Sequence, residues 1–298
     1  MRPLVRKRHF VGAFAVLLGV VILLLPSPYV IEMPGPTQDV LGKVEDGAVI
    51  DITGTGVTTY KDSGKLLLTT VNASGVPGYP IINAQAVWGW ANPQVEVMPR
   101  EATVPVGQSA DQYQKKVEQD MAGSQDSASA VGLAYAKAHA DELGIDASAL
   151  QHAKVTMHVD SIGGPSAGMM YTLGLIDKLT PANESGGKTI AGTGTIDKDG
   201  KVGRIGGIEL KMLGSKRDGA TWFLAPARIV RMWPAACRMV CATSRSPRWT
   251  RRIRRWWPSA RGRPTICLIA RPDMRGQSLF LMRRLAWVCP QCGDFRPR

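Results

Sequence analysis

The sequence predicts a mixed domain of strands and helices, α/β or α+β, behind one N-terminal membrane helix. Three observations carry that expectation. An uncharged run from Phe10 to Ile31 follows the basic residues Arg2, Arg6, Lys7 and Arg8; at ~1.5 Å per helical residue it reaches roughly 33 Å, close to the ~30 Å hydrocarbon core of a bilayer. Beyond it, stretches that alternate β-branched and small polar residues take turns with stretches whose apolar residues recur at i, i+3 and i+4. Glycine-bearing turn signals separate the two kinds of stretch.

Taken in order, residues 1–9 read as a cytoplasmic basic segment and 10–31 as an uncleaved anchor. The positive flank lies before the span, and Lys and Arg are nearly absent for thirty residues after it, so the remainder is expected outside the cell. A cleaved signal peptide is the rival reading, but no small-x-small site follows the run. Residues 32–37, with "PGPT", read as a linker. A folded domain is expected over 38–226. Within it "GAVIDITGTGVTTY" and "GKLLLTTVNAS" read as strands, and 75–125 as an irregular insertion because 75–100 holds four prolines and two tryptophans. Ser109 to Gly123 is polar and helical. A second helix covers "SASAVGLAYAKAHADEL", with Asp126 or Ser127 as its cap and Gly144 as its end. "AKVTMHV" is a strand, "DSIGG" a loop and "PSAGMMYTLGLIDKL" a helix. "KTIAGTGTI" and "KVGRI" are strands joined by a turn at Asp197–Gly200. "GGIELKMLGSKRDG" is a helix, and "TWFLAP" a buried strand.

The net charge of +13 belongs to one part of the chain. Residues 227–298 hold 17 arginines, no lysine and only Asp273 and Asp294 as acids, so this tail carries +15 and the first 226 residues −2. All five cysteines and five of the eight tryptophans lie there too. Three readings of the tail arise: a nucleic-acid arm, a patch for anionic lipid, or out-of-frame translation of GC-rich coding sequence beginning near Ala227. The expected topology argues against nucleic acid. The third reading fits best, because Met239 to Thr250, read one nucleotide back with permitted codons, continues as an ordinary domain sequence. The pair Cys289 and Cys292 has no second pair at a metal-ligand spacing.

The residue inventory narrows the chemistry. Histidine occurs only at 9, 139, 152 and 158, without zinc-ligand spacing, and no cysteine lies in the first 226 residues. The glycine-rich stretches near 163 and 206 lack the Lys-Ser/Thr of a phosphate loop. No cofactor is implied. What remains is a hydroxyl and a base. Ser166, in "GGPSAG", stands where a loop enters a helix, and unpaired N–H groups there favour negative charge. A lysine accepts the serine proton if burial lowers its pKa from ~10.4 by several units. Lys211 is the candidate, on a helix with the apolar residues Ile208, Met212 and Leu213. From the residues alone, Ser166 reads more readily as a helix cap and Lys211 as a surface lysine.

"GGPSAG" at 163–168, followed by Lys211 in "GRIGGIELKMLGSKRDGATWFLAP" at 203–226, resembles the proteolytic domain of Lon-type serine–lysine peptidases. "DSASAVGLAYAKAHADELGI" and "VTMHV" resemble that domain's helix and the strand before its serine. The resemblance implies an α+β fold, a mixed sheet with packed helices. It makes Ser166 the nucleophile, Lys211 the general base and Thr193 of "GTGTI" the residue that helps orient the lysine. Glu209 falls in the first slot of the helix motif where the lysine fills the second. Gly164, Pro165 and Ala167 support the serine, and the peptide N–H of Ser166 and its neighbours forms the oxyanion hole.

With the anchor and "PSPYVIEMPGP", the likeness narrows to membrane-anchored Lon-like proteins of Gram-positive bacteria. Those usually carry a PDZ domain, for which the eleven residues between the 126–143 helix and "VTMHV" leave no room. The function implied is an ATP-independent, extracytoplasmic serine endopeptidase. Its partners would be polypeptide substrates, the membrane through residues 10–31 and, in some settings, further copies of itself. The alternative is an inactive anchored binding or scaffold protein that keeps the fold.

Overall fold

The computed structural model describes residues 3–45, 47–158, 164–226, 266–270 and 287–288. The chain opens with α1 (Pro3–Leu24) and then β1 (Tyr29–Asp39), β2 (Lys43–Val44), β3 (Gly47–Ala48), β4 (Ile50–Thr53) and β5 (Lys65–Ser74). Next come α2 (Asn83–Ala91), β6 (Glu96–Pro99), α3 (Ala110–Ala138), α4 (Ala140–Leu143) and β7 (Lys154–Met157). The site is built from α5 (Gly168–Leu179), β8 (Thr189–Gly192), β9 (Thr195–Ile196), β10 (Val202–Gly203), α6 (Ile208–Arg217) and β11 (Trp222–Pro226). Of the tail, only β12 (Ile266–Ala270) and β13 (Trp287–Val288) are among the described residues. The expected frame change near Ala227 and the Cys289–Cys292 pair fall outside them, as does most of the arginine-rich arm.

The chain divides into two compact units, one of Met1–Pro34 with Val71–Lys116 and one of Gly35–Thr70 with Val117–Arg298. In the first, the start of β1 pairs antiparallel with β6, from Tyr29 opposite Pro99 to Glu32 opposite Glu96. Val30, Val76 and Val104 form its small core, with Ala73, Met98 and Tyr113 packed around them.

Here the structure corrects the expected anchor. Helix α1 stops at Leu24, Pro26 bridges to Ile82, and Val30 and Ile31 are buried in β1 rather than helical. Pro26 and Pro28 explain the stop, since each lacks an N–H and disfavours helix in the residue before it. The apolar helix from Phe10 to Leu24 is about 22 Å long at 1.5 Å per residue. Among the described residues, no helix is long and apolar enough to cross a membrane. Nor is 32–37 a free linker, for it continues β1. Residues 75–100, read as irregular, contain α2 and β6. Two buried small residues, Ala86 and Gly89, let α2 lie close to Val97, which a Cβ at Gly89 would approach to 2.6 Å.

In the second unit β5, β8 and β11 run parallel, Leu67 beside Ala191 and Ala191 beside Phe223, while β12 adds antiparallel to β11. The sheet is therefore mixed. Separate antiparallel pairs join β4 to β7 and β9 to β10. Helix α5 is buried along nearly its whole length, and Met169, Met170, Leu175 and Ile176 belong to a core that also contains Leu68, Ile190 and Leu224. Each such side chain contributes about 1.5–3 kcal/mol by leaving water.

The boundary expected between two helices near 124–127 is absent, because α3 runs unbroken to Ala138 before the short α4, so Asp126 and Ser127 lie mid-helix and cap nothing. Its buried face is a row of small residues four apart, Ser124, Ala128, Gly132 and Ala136. That row admits α5 closely, because a Cβ at Gly132 would meet Leu175 at 2.7 Å. Gly144 closes α4 in the left-handed conformation, at φ 69°. Helix α6 is tied down at its far end, where Arg217 Nη2 donates to the Gly35 carbonyl at 2.9 Å and Thr37 Oγ1 donates to Asp218 at 2.9 Å.

Candidate active site

Ser166 occupies a 3₁₀ turn, Pro165–Ala167, that runs directly into α5. Pro165 suits the first position, where its fixed φ helps and its missing N–H is not needed. Its carbonyl accepts a hydrogen bond from Ser124 Oγ at 3.0 Å. The Ala167 amide donates to the Gly164 carbonyl at 3.1 Å, and the Ala167 side chain is buried in the core. Gly164 is extended, and a Cβ there would meet open space, so neither strain nor crowding demands glycine. Residues 159–163, most of the loop expected before it, lie outside the described residues.

Thr193 follows β8 and is completely buried, with its amide donating to the Leu224 carbonyl of β11 at 3.0 Å. The glycines on either side let α5 approach. A Cβ at Gly192 would press on Met170 Sδ and Leu224, and one at Gly194 would come within 3.2 Å of Met169. The two segments then clasp each other. The Gly194 amide donates to the Ser166 carbonyl at 2.7 Å, and the Met169 amide donates to the Gly194 carbonyl at 3.0 Å.

Lys211 is delivered by the first turn of α6. Gly207, at φ 62°, makes the left-handed bend that starts the helix, and its carbonyl accepts from the Lys211 amide at 2.9 Å. The face that Lys211 shares consists of Ile208, Gly214 and Ser215, whereas Leu213 and Glu209 are exposed. That corrects the expected grouping of Lys211 with Met212 and Leu213. Only 3% of Lys211 is exposed. Its Nζ donates to Ser166 Oγ at 2.8 Å and to Thr193 Oγ1 at 3.1 Å, and Thr193 Oγ1 donates in turn to the Ser166 carbonyl at 3.2 Å. Three residues 18 to 45 positions apart thus meet through their polar atoms at the junction of α5, β8 and α6.

Residues 88–232 match the family model of the Lon protease (S16) C-terminal proteolytic domain. The chain is 40% identical to the Lon protease of Porphyromonas gingivalis over 95 residues, which cover 30% of this chain and 11% of that protein. It is 41% identical to Lon protease 1 of Sorangium cellulosum over 101 residues, 32% of this chain and 12% of that one. The likeness to the Lon protease of Trichlorobacter lovleyi is longer and weaker, 28% over 201 residues and 23% of that protein. The chain therefore spans a small fraction of the length of the Lon proteases it matches. The Lon-type match contains Ser166, Thr193 and Lys211, and supports a serine peptidase.

Three residues that hold this arrangement were not legible as such in the sequence. Ser124 holds the Pro165 carbonyl, Gly194 holds the Ser166 carbonyl, and Ser215 Oγ donates to the Lys211 carbonyl at 2.7 Å. The four-residue spacing of small residues in α3 was the available signal for Ser124. At the far end of α5, burial together with the neighbouring Asp62, Glu184 and Asp39 carboxylates pushes the Asp177 carboxyl up to about 9. Burial also acts to raise Asp62, but hydrogen bonds from Ser185, Gly64 and Asp177 outweigh it and hold that carboxyl below its ordinary range. Asp62 therefore keeps its charge and Asp177 its proton. Among the described residues, no group of three or more His, Cys, Asp or Glu is arranged to hold a metal ion.

Proposed function

We propose that this chain is a serine endopeptidase in which Ser166 is the nucleophile and Lys211 the general base. The observation that carries the proposal is the 2.8 Å approach of the buried Lys211 Nζ to Ser166 Oγ. Burial penalises the ammonium form and so favours the neutral amine that a base requires. Ser166 Oγ attacks the scissile carbonyl carbon as its proton passes to Lys211 Nζ. The tetrahedral oxyanion collapses, Lys211 returns the proton to the leaving amine, and the acyl group remains as an ester on Ser166. Water, deprotonated by Lys211, then hydrolyses the ester. The Ser166 amide is the proposed oxyanion donor; the Ala167 and Met169 amides donate to the Gly164 and Gly194 carbonyls. Thr193 holds the amine in line.

Polypeptides are the proposed substrates, cleaved without ATP. The proposed setting is the outer face of a membrane. The apolar stretch from Phe10 to Leu25 is about 24 Å long, and local thinning of the bilayer absorbs the ~6 Å shortfall against ~30 Å. The basic residues Arg2, Arg6, Lys7 and Arg8 before it favour a cytoplasmic N-terminus. Hydrolysis of fluorescein-labelled casein by the full chain in detergent tests the chemistry. Ser166→Ala and Lys211→Met are each expected to lower the rate at least about a thousandfold; equal rates in the parent and both variants would overturn the proposal.

A further inference from the structure

The face of α2 opposite its packed residues is apolar and uncovered. Ala86 and Gly89 are buried, whereas Val87 and Trp88 lie on the other side and Trp90, in edge contact with Tyr29, lies at its flank, with Trp88 52% and Trp90 58% exposed. Tyr79, just before the helix, is exposed as well. The chain carries no charged residue from Leu66 to Val95, so nothing in this stretch makes the face compatible with water in the way surface helices ordinarily are. Tryptophan combines a large apolar ring with one N–H, which suits a boundary between hydrocarbon and water.

The position of this face is set by α1. The first turn of α2 is bonded to the last turn of α1, with the Asn83 amide donating to the Leu25 carbonyl at 3.0 Å and Asn83 Nδ2 to the Ile22 carbonyl at 2.9 Å. The Ser27 amide donates to the Ile81 carbonyl at 2.8 Å, and Pro26 bridges to Ile82. From Phe10 to Leu25, α1 and the residue after it expose apolar side chains around the whole circumference, among them Phe14, Val16, Leu17, Val21, Ile22 and Leu24. A helix that is apolar all round needs an apolar solvent. Helix α2 therefore begins where the apolar stretch of α1 ends.

We propose that Val87, Trp88 and Trp90 of α2 insert at the lipid–water interface around the C-terminal end of α1, forming an aromatic collar on a phospholipid bilayer. This rests on the membrane insertion of α1 and adds a second, interfacial contact to it. The anchor then has a defined depth, because the amphipathic rings resist movement either into hydrocarbon or into water.

The test reconstitutes the full chain in vesicles of phosphatidylcholine and phosphatidylglycerol, part of the phosphatidylcholine being brominated at acyl carbons 6,7 or 11,12. Subtracting the emission of Trp88→Phe/Trp90→Phe from that of the parent isolates the two rings from the other six tryptophans. Trp88→Phe alone serves as a second variant, because it leaves the edge contact of Trp90 with Tyr29 intact. The expected result is quenching at least about twofold stronger by the 6,7 than by the 11,12 lipid. Chain that floats with the vesicles while the difference emission is unquenched, or quenched most by the 11,12 lipid, overturns the collar and leaves the anchor standing. Chain that does not float overturns both.

Discussion

Thr193→Val separates a residue that positions the lysine from one that only fills space. Valine keeps the shape of a fully buried side chain but removes the oxygen that accepts from Lys211 Nζ at 3.1 Å and donates to the Ser166 carbonyl at 3.2 Å. The carbonyl still receives the Gly194 amide at 2.7 Å, so the larger loss falls on the lysine, which has one hydrogen-bond partner fewer. Removing one partner of a buried polar group costs about 1–3 kcal/mol, and each kcal/mol lowers the melting temperature of a domain this size by roughly 2–4 °C. If the same loss lets Nζ drift from Ser166 Oγ, kcat falls about tenfold to a hundredfold with KM little changed, since each ~1.4 kcal/mol in the barrier is a factor of ten. Steady-state cleavage of labelled casein by the parent, Thr193→Val and Thr193→Ser reads this directly. The serine variant retains the oxygen and recovers most of kcat. A valine variant that melts earlier yet keeps its kcat, or a serine variant as slow as valine, refutes the positioning role.

Three other outcomes follow from the same geometry. Asp177 holds a proton in the folded state up to about pH 9, whereas its ordinary carboxyl value is 3.8, so the unfolded chain binds fewer protons across that interval. Stability therefore falls as pH rises from about 4 to 9 and levels off above. Asp177→Asn flattens the dependence of melting temperature on pH over 5–9, and parallel curves for parent and variant would contradict this. Gly168→Ala places a Cβ 2.7 Å from Ser124 Oγ and 2.9 Å from Ile196 Cγ2; overpacking of this kind costs about 1–3 kcal/mol, seen as a melting temperature several degrees lower. Ser124→Ala removes the hydrogen bond to the Pro165 carbonyl and lowers kcat more than tenfold if that bond holds Ser166 in place; unchanged kcat refutes it.

Elements whose character depends on near neighbours were legible in the sequence. The period of α5, the Asp197–Gly200 turn between β9 and β10 and the left-handed stop at Gly144 all follow from local sterics and capping. The serine and lysine motifs could be found the same way, as a turn into a helix and a lysine among apolar residues. Misreadings arose where the deciding partner was distant. A helix through Ile31 was expected because the run is apolar, but Val30 and Ile31 serve the core of the first unit as strand residues. Residues 75–100 looked irregular because their prolines mask a nine-residue helix that Asn83 bonds to the end of α1. Asp126 and Ser127 looked like a cap because side-chain oxygens favour helix ends, yet α3 runs through them.

What the sequence by itself determined was the set of local conformations and the chemical types available, a hydroxyl and an amine without usable histidine or thiol. Whether Ser166 was cap or nucleophile, and Lys211 exposed or buried, depended on contacts across 45 residues, which no local pattern contains. Packing decided it. Glycines at 192 and 194 let α5 lie against the end of β8, the Ser166 carbonyl found the Gly194 amide, and α6 placed Lys211 Nζ where burial and two hydroxyl groups hold it.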